Sequence, residues 1–225
     1  MANQPGSLTS VGKKILIALT GMGLMLFLAG HVSGNLLIFV GDETFNNYGH
    51  TLVSNPFIYV IEFGMLAIFL FHLFTALANW MNNRDARGKT RYYSPAWATG
   101  GKSRKSFAST SMILTGAVLI VFVILHVGTM KFGWGYTITE TPEGIRDLAT
   151  QMRAAFSSPL VVLAYEVVMV LVGMHLWHGF SSAFQSLGVS HPKLEKVLQP
   201  AGWLFAIFVG GGFLAIPFAL YLNLF

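Results

Sequence analysis

The sequence predicts an all-α integral membrane protein, a single domain over 1–225 folded as a five-transmembrane-helix bundle, and three observations lead there. Of its 225 residues, 54% are hydrophobic and only 10% charged, whereas an average soluble domain carries about 25% charge. Several uncharged runs reach the roughly 20 residues that cross a bilayer. Four of those runs carry histidine, and an ionisable side chain at membrane depth marks function, because hydrocarbon offers it no partner. The chain has no cysteine, so it can build no disulfide, thiolate zinc site or cysteine-ligated iron–sulfur cluster of its own. Its net charge of +5 sits beside the spans, where it reports orientation and not nucleic acid binding.

Taken in order, span one covers 15–40, behind Lys13 and Lys14. It exceeds the 7–15-residue core of a signal peptide and reads as retained. Residues 41–55 read as a polar loop with Asp42, Glu43 and His50. Asn55-Pro56 opens span two, 57–80, since proline is tolerated in a first helical turn; it holds Glu62 and His72. A basic loop follows over 82–106, with Arg84, Arg87, Lys89, Arg91, Lys102, Arg104 and Lys105, interrupted by Pro95 and Gly100-Gly101. Span three, 107–130, contains His126. The connection 131–157 includes a turn over 139–146 leading into a short amphipathic helix. Ser158-Pro159 caps span four, 159–184, which carries Glu166, His175 and His178. A polar link over 188–200 precedes span five, 203–225, where Gly210-Gly211-Gly212 and Pro217 suit close packing or a bend. No internal repeat stands out in this reading.

Five spans put the termini on opposite faces. One face gathers eleven basic residues and the other Lys131, Arg146 and Arg153, which places the amino terminus in the cytoplasm. A rise of about 1.5 Å per residue then turns position into depth. His31, seventeen residues past Lys14, and His126, twenty-one past Lys105, fall in the outer half. His72, twelve before Arg84, and His175, about sixteen into a descending helix, fall in the inner half. Two layers result, each with two imidazoles from different helices. Imidazole is the commonest protein metal ligand, and haem iron can be held axially from both sides. The expected pairs are therefore His31 with His126 on an outer haem and His72 with His175 on an inner one, separated by a distance on the order of 10 Å.

His178 shares a face with His175 and is expected at a haem propionate or a helix contact. Arg84, Arg87 and Lys89 are further propionate candidates. Gly30, Gly34, Ala76, Gly128 and Gly179 lie near the histidines, where lack of bulk would admit a porphyrin. Glu43, His50, Glu62 and Glu166 are the candidates for proton exchange at a quinone headgroup. The competing class is a haem-free transporter relaying protons through histidine, which many such proteins would build from duplicated halves.

Four stretches add a resemblance. Gly30-His31-Val32-Ser33-Gly34-Asn35-Leu36, Asn83-Arg84-Asp85-Ala86-Arg87 after His72, His126 near the end of span three, and His175-Leu176-Trp177-His178-Gly179-Phe180 with Gln185-Ser186-Leu187-Gly188 resemble the dihaem cytochrome b membrane subunit of succinate:quinone oxidoreductases and fumarate reductases, in its five-span type B form. The resemblance covers the chain from Lys13 to Phe225. It implies two haems b on the four histidines and a flavoprotein and an iron–sulfur subunit on the cytoplasmic face of a bacterial membrane. It further implies electrons passing inward to outward to a quinone, menaquinone in this type. A cytochrome b anchor of a hydrogenase or formate dehydrogenase would share these features. Some members carry glutamate two residues before the span-four histidine; here that position is Gly173.

Overall fold

The computed structural model describes residues 9–86, 107–189 and 191–225. Helix α1 runs Ser10–Asn35 and continues as a 3-10 turn, Leu36–Phe39; α2 is Asp42–Val53, α3 Ile58–Ala86, α4 Phe107–Met130, α5 Leu148–Phe156, α6 Pro159–Ser186 and α7 Pro192–Tyr221. The α1 segment with its 3-10 turn, α3, α4, α6 and α7 are each long and apolar enough to cross a membrane. The chain is thus a multi-pass membrane protein. No strand occurs among the described residues, only one isolated bridge, Glu140 with Arg146, which forms the expected turn ahead of α5.

Helices α1 and α3 extend beyond the expected spans, to Ser10 and Ala86, and two segments depart further from the sequence reading. Residues 42–53 form a helix and not a loop: Gly41, at φ 147, takes a backbone conformation that side chains disfavour, turning the chain out of α1 and into α2. Asp42 and Glu43 occupy the first turn of α2 and His50 the last, the arrangement that complements a helix dipole. The final helix begins at Pro192 rather than 203 and ends at Tyr221. His191 caps it, accepting from the Lys193 amide at 3.3 Å, and Pro192 fills the first position, so the polar link is mostly a helical extension.

Helix α6 is the hub, packed against α1, α4 and α7, while α3 lies against α1 and barely meets α4. Gly173 and Gly210 let α6 and α7 cross closely, since a Cβ on Gly210 would stand 3.4 Å from the Gly173 Cα. Gly173 therefore faces α7. One buried cluster, centred on Val32, Met169, Val172, Leu176 and Val209, joins α1, α6 and α7. Another, with Ile38, Phe45, Phe156 and Ile216, seats α2 and α5 on one end of the bundle, the capped end.

Polar groups bind that cap. Asn46 donates to Asp147 Oδ1 at 2.9 Å and accepts from the Ala149 amide at 2.9 Å. Gln151 donates to the Thr129 carbonyl at 2.7 Å, and Arg146 to those of Met130 and Lys131 at 2.8 and 2.7 Å. These bonds satisfy carbonyls that the end of α4 would leave orphaned. Arg153 reaches Asp42 at 2.7 Å. Asp147 caps α5 through the Thr150 amide at 3.0 Å and hydroxyl at 2.7 Å. Partial burial pushes the Asp147 carboxyl pKa up. Its bonds from Thr150 and Asn46 and the nearby Arg153 charge together outweigh that and hold it below the ordinary 3.8. The cap is therefore complete above that ordinary value and is lost as pH falls through the lower folded one. We expect Asp147→Ala to cost about 1 kcal/mol locally and to speed amide hydrogen exchange in α5 at neutral pH; acidification of the parent below pH 3.8 should reproduce the effect. Unchanged exchange in the variant would rule the cap out.

Candidate functional site

The structure brings His31 and His126 together and places His72 and His175 on the other two helices of the ring of four. Near the capped end, the His31 and His126 rings lie 5.9 Å apart at 79°. Two imidazoles gripping one metal ion through bonds of about 2 Å would have ring centres about 6 Å apart. Each ring is backed by a phenylalanine four residues earlier on its own helix: Phe27 stacks on His31 at 5.3 Å and 11°, Phe122 on His126 at 5.3 Å and 19°. Phe213 of α7 flanks His31 at 5.5 Å. Further from the cap, His72 lies against Gly21 of α1 and His175 against Gly116 of α4, where a Cβ would stand 3.2 and 4.0 Å from their Cε1 atoms.

The pairing follows from helix adjacency. Packing runs α3, α1, α6, α4 around the four histidine-bearing helices, so α1–α4 and α3–α6 are the two diagonals. His31 with His126 spans one and His72 with His175 the other. Both pairs thus face across the bundle axis.

Each Nδ1 is engaged. Thr20 Oγ1 lies 3.1 Å from that of His72, and Thr115 Oγ1 3.1 Å from that of His175. Tyr165 Oη lies 3.1 Å from that of His126, and Asn35 Nδ2 3.3 Å from that of His31. A metal-binding imidazole is held with one nitrogen donating to the protein and the other left for the ion; the oxygens beside His72, His175 and His126 allow this, whereas Asn35 Nδ2, which also donates to the His31 carbonyl at 2.8 Å, donates to the His31 Nδ1. No three His, Cys, Asp or Glu side chains converge on one point among the described residues. Two facing donors suit a metal whose remaining ligands come from a cofactor, as in haem. The residues present therefore fit haem.

These four partners were missed in the sequence, yet a signal existed. Leu19-Thr20-Gly21, Phe27 and His31 recur at the same spacing as Leu114-Thr115-Gly116, Phe122 and His126. This is an internal repeat, contrary to the sequence reading, and it was hidden because the residues between are interchangeable apolar ones. Threonine precedes histidine by eleven residues in both helices, close to three full turns, so both side chains share a face about 16 Å apart along the helix. That rise exceeds the 10 Å inferred from distances to the basic rims, because those rims do not mark a common plane.

The small residues serve a different purpose from the one expected. A Cβ on Gly34 would collide with the Tyr48 ring and one on Gly128 with Trp134, while one on Gly179 would meet the Met25 methyl at 3.3 Å. They admit side chains of this chain, and only Gly30 opens onto free space.

The remaining candidates scatter. His178 is half-buried on α6. Arg84 lies over the Trp80 ring at 5.5 Å; Arg87 and Lys89 fall outside the described residues. Glu62 is paired with Lys131 at 2.5 Å, which ties the start of α3 to the end of α4 where those helices otherwise barely meet. Glu43 lines a recess of about 370 Å³ with Asp42, Glu143 and Asp147 in the cap, and His50 is exposed on α2. Glu166, beside Tyr165, has a buried Oε1 without a hydrogen-bond partner among the described residues.

No protein-family model matches the sequence, and no characterised protein or solved structure matches it either. The likeness to dihaem cytochrome b subunits rests on the residues of this chain.

Proposed function

We propose that this chain is the dihaem cytochrome b anchor of a quinone-linked dehydrogenase, of the succinate:quinone oxidoreductase type. The single observation that supports it best is the pair of histidine diagonals, each with both Nδ1 atoms engaged. When bound, two haems b would supply one-electron transfer between a soluble donor and a quinone in the bilayer. His31 with His126 and His72 with His175 would hold the irons, and the helices fix their spacing. His178, Arg84, Arg87 and Lys89 would neutralise propionates. Glu43, His50, Glu62 and Glu166 are the groups near the capped end that could exchange protons with menaquinone or another quinone.

The basic loop puts the amino terminus in the cytoplasm of a bacterial cell, which makes the capped end the outer one and His72–His175 the pair nearer the donor. A cysteine-free chain must draw its electrons from clusters and flavin on partner subunits, here an iron–sulfur and a flavoprotein subunit. Position 173 is glycine here, on the side of α6 that faces α7, and carries no carboxylate of the kind that some members have, so any proton path of this chain runs through other groups.

The test is a pyridine haemochrome assay on the purified chain, expected to give two b-type haems. None would end the proposal. Co-purification of flavin and iron–sulfur polypeptides with succinate-dependent haem reduction is the expected result for the complex; a hydrogen- or formate-reduced complex would keep the haems and change the donor.

A further inference from the structure

Resting on the dihaem reading, we infer that Thr20 and Thr115 are positioning residues of the inner haem alone, equivalent hydroxyls that set the tautomer and electron donation of its two axial imidazoles. The two sites are built alike. Thr20 donates to the Leu16 carbonyl at 2.6 Å and Thr115 to that of Met112 at 3.1 Å. A hydroxyl has one proton, and here the helix carbonyl takes it. The oxygen is then an acceptor, and the Nδ1 that it meets at 3.1 Å in each case must carry the hydrogen. That leaves the lone pair of a neutral ring on Nε2, the nitrogen an axial ligand uses.

Both threonines are followed by glycine against the same histidine edge. A Cβ on Gly21 would stand 3.2 Å from Cε1 of His72, and one on Gly116 4.0 Å from Cε1 of His175. Each Thr-Gly dipeptide is thus a seat, with an acceptor for the ring nitrogen and a bare Cα beneath the ring. Thr115 is 2% exposed and Thr20 9%, so water does not substitute for either hydroxyl.

The outer pair is held differently. At His126 the Tyr165 hydroxyl can donate or accept, and at His31 the atom in reach is the Asn35 amide nitrogen, a donor. Only at the inner pair do hydroxyls whose protons go to helix carbonyls make both Nδ1 atoms donors. A ligand that donates its N–H is the more basic one and favours the oxidised iron, so these two bonds hold the inner midpoint potential down.

The experiment is a potentiometric titration of the purified, haem-loaded complex. His175→Ala first identifies which of the two haem steps is the inner one. Thr20→Val and Thr115→Val, each near the parent in shape, are expected to raise that step and leave the other in place; Thr20→Ser and Thr115→Ser, which keep the hydroxyl, should return it. An inner step unmoved in both valine variants, or both steps moving together, would overturn the inference while leaving the dihaem reading intact. A parent without haem would instead refute that reading. If one valine variant fails to assemble, its serine counterpart and the other threonine still decide the outcome.

Discussion

If the dihaem proposal holds, replacing His175 by alanine is expected to leave one haem of two, and to stop succinate-driven reduction of the haem that remains. The substitution removes one of the two imidazoles on the α3–α6 diagonal. Its partner His72, tied to Thr20 at 3.1 Å, has no other imidazole across the bundle at its own level except His178, one helical turn further along α6. His72→Ala should lose the same haem, and His31→Ala or His126→Ala the other. The four variants therefore sort into two classes by which spectral component disappears. His178→Ala is expected to keep both haems. If it loses one and His175→Ala does not, the ligand assignment on α6 is reversed; if every single variant loses both, the two sites are not separable as described.

Gly212→Ala is the packing change with the largest expected cost. Its new Cβ would lie 2.5 Å from Cγ2 of Val32, and Val32 is fully buried. A β-branched side chain has few rotamers with which to retreat, so the backbones of α1 and α7 must separate. Overpacking of this kind costs about 1–3 kcal/mol, against which the helix propensity of alanine returns at most about 1 kcal/mol. The outer pair feels it too, because Val32 follows His31 and Phe213, which flanks that imidazole at 5.5 Å, follows Gly212. Thermal unfolding in detergent should show the loss, and Val32→Ala in the same chain should recover part of it. Additive effects of the two substitutions would refute the contact.

The spans are legible because they rest on a one-dimensional property, the length of an uncharged apolar run. The orienting groups are not. Thr20 meets a histidine 52 residues away and Thr115 one 60 away, and nothing in an apolar helix says which threonine faces another helix. The two equal eleven-residue intervals were the available clue. Helix α2 looks like a loop in sequence because its polar residues resemble turn chemistry, whereas Asn46 serves to join it to Asp147 and Ala149 at the start of α5. The glycines near the histidines look in sequence like space for a ligand, yet Tyr48 and Trp134 occupy the space beside two of them; sequence shows that a side chain is small and not what fills the gap.

Helix α3 meets the bundle along one edge, and none of the residues in its most apolar stretch is buried. Swinging it outward would strip far less contact than peeling away α6. In a bilayer this placement leaves most of the helix's circumference to lipid, with α1 along one side and the Glu62–Lys131 pair at its rim as its moorings to the protein.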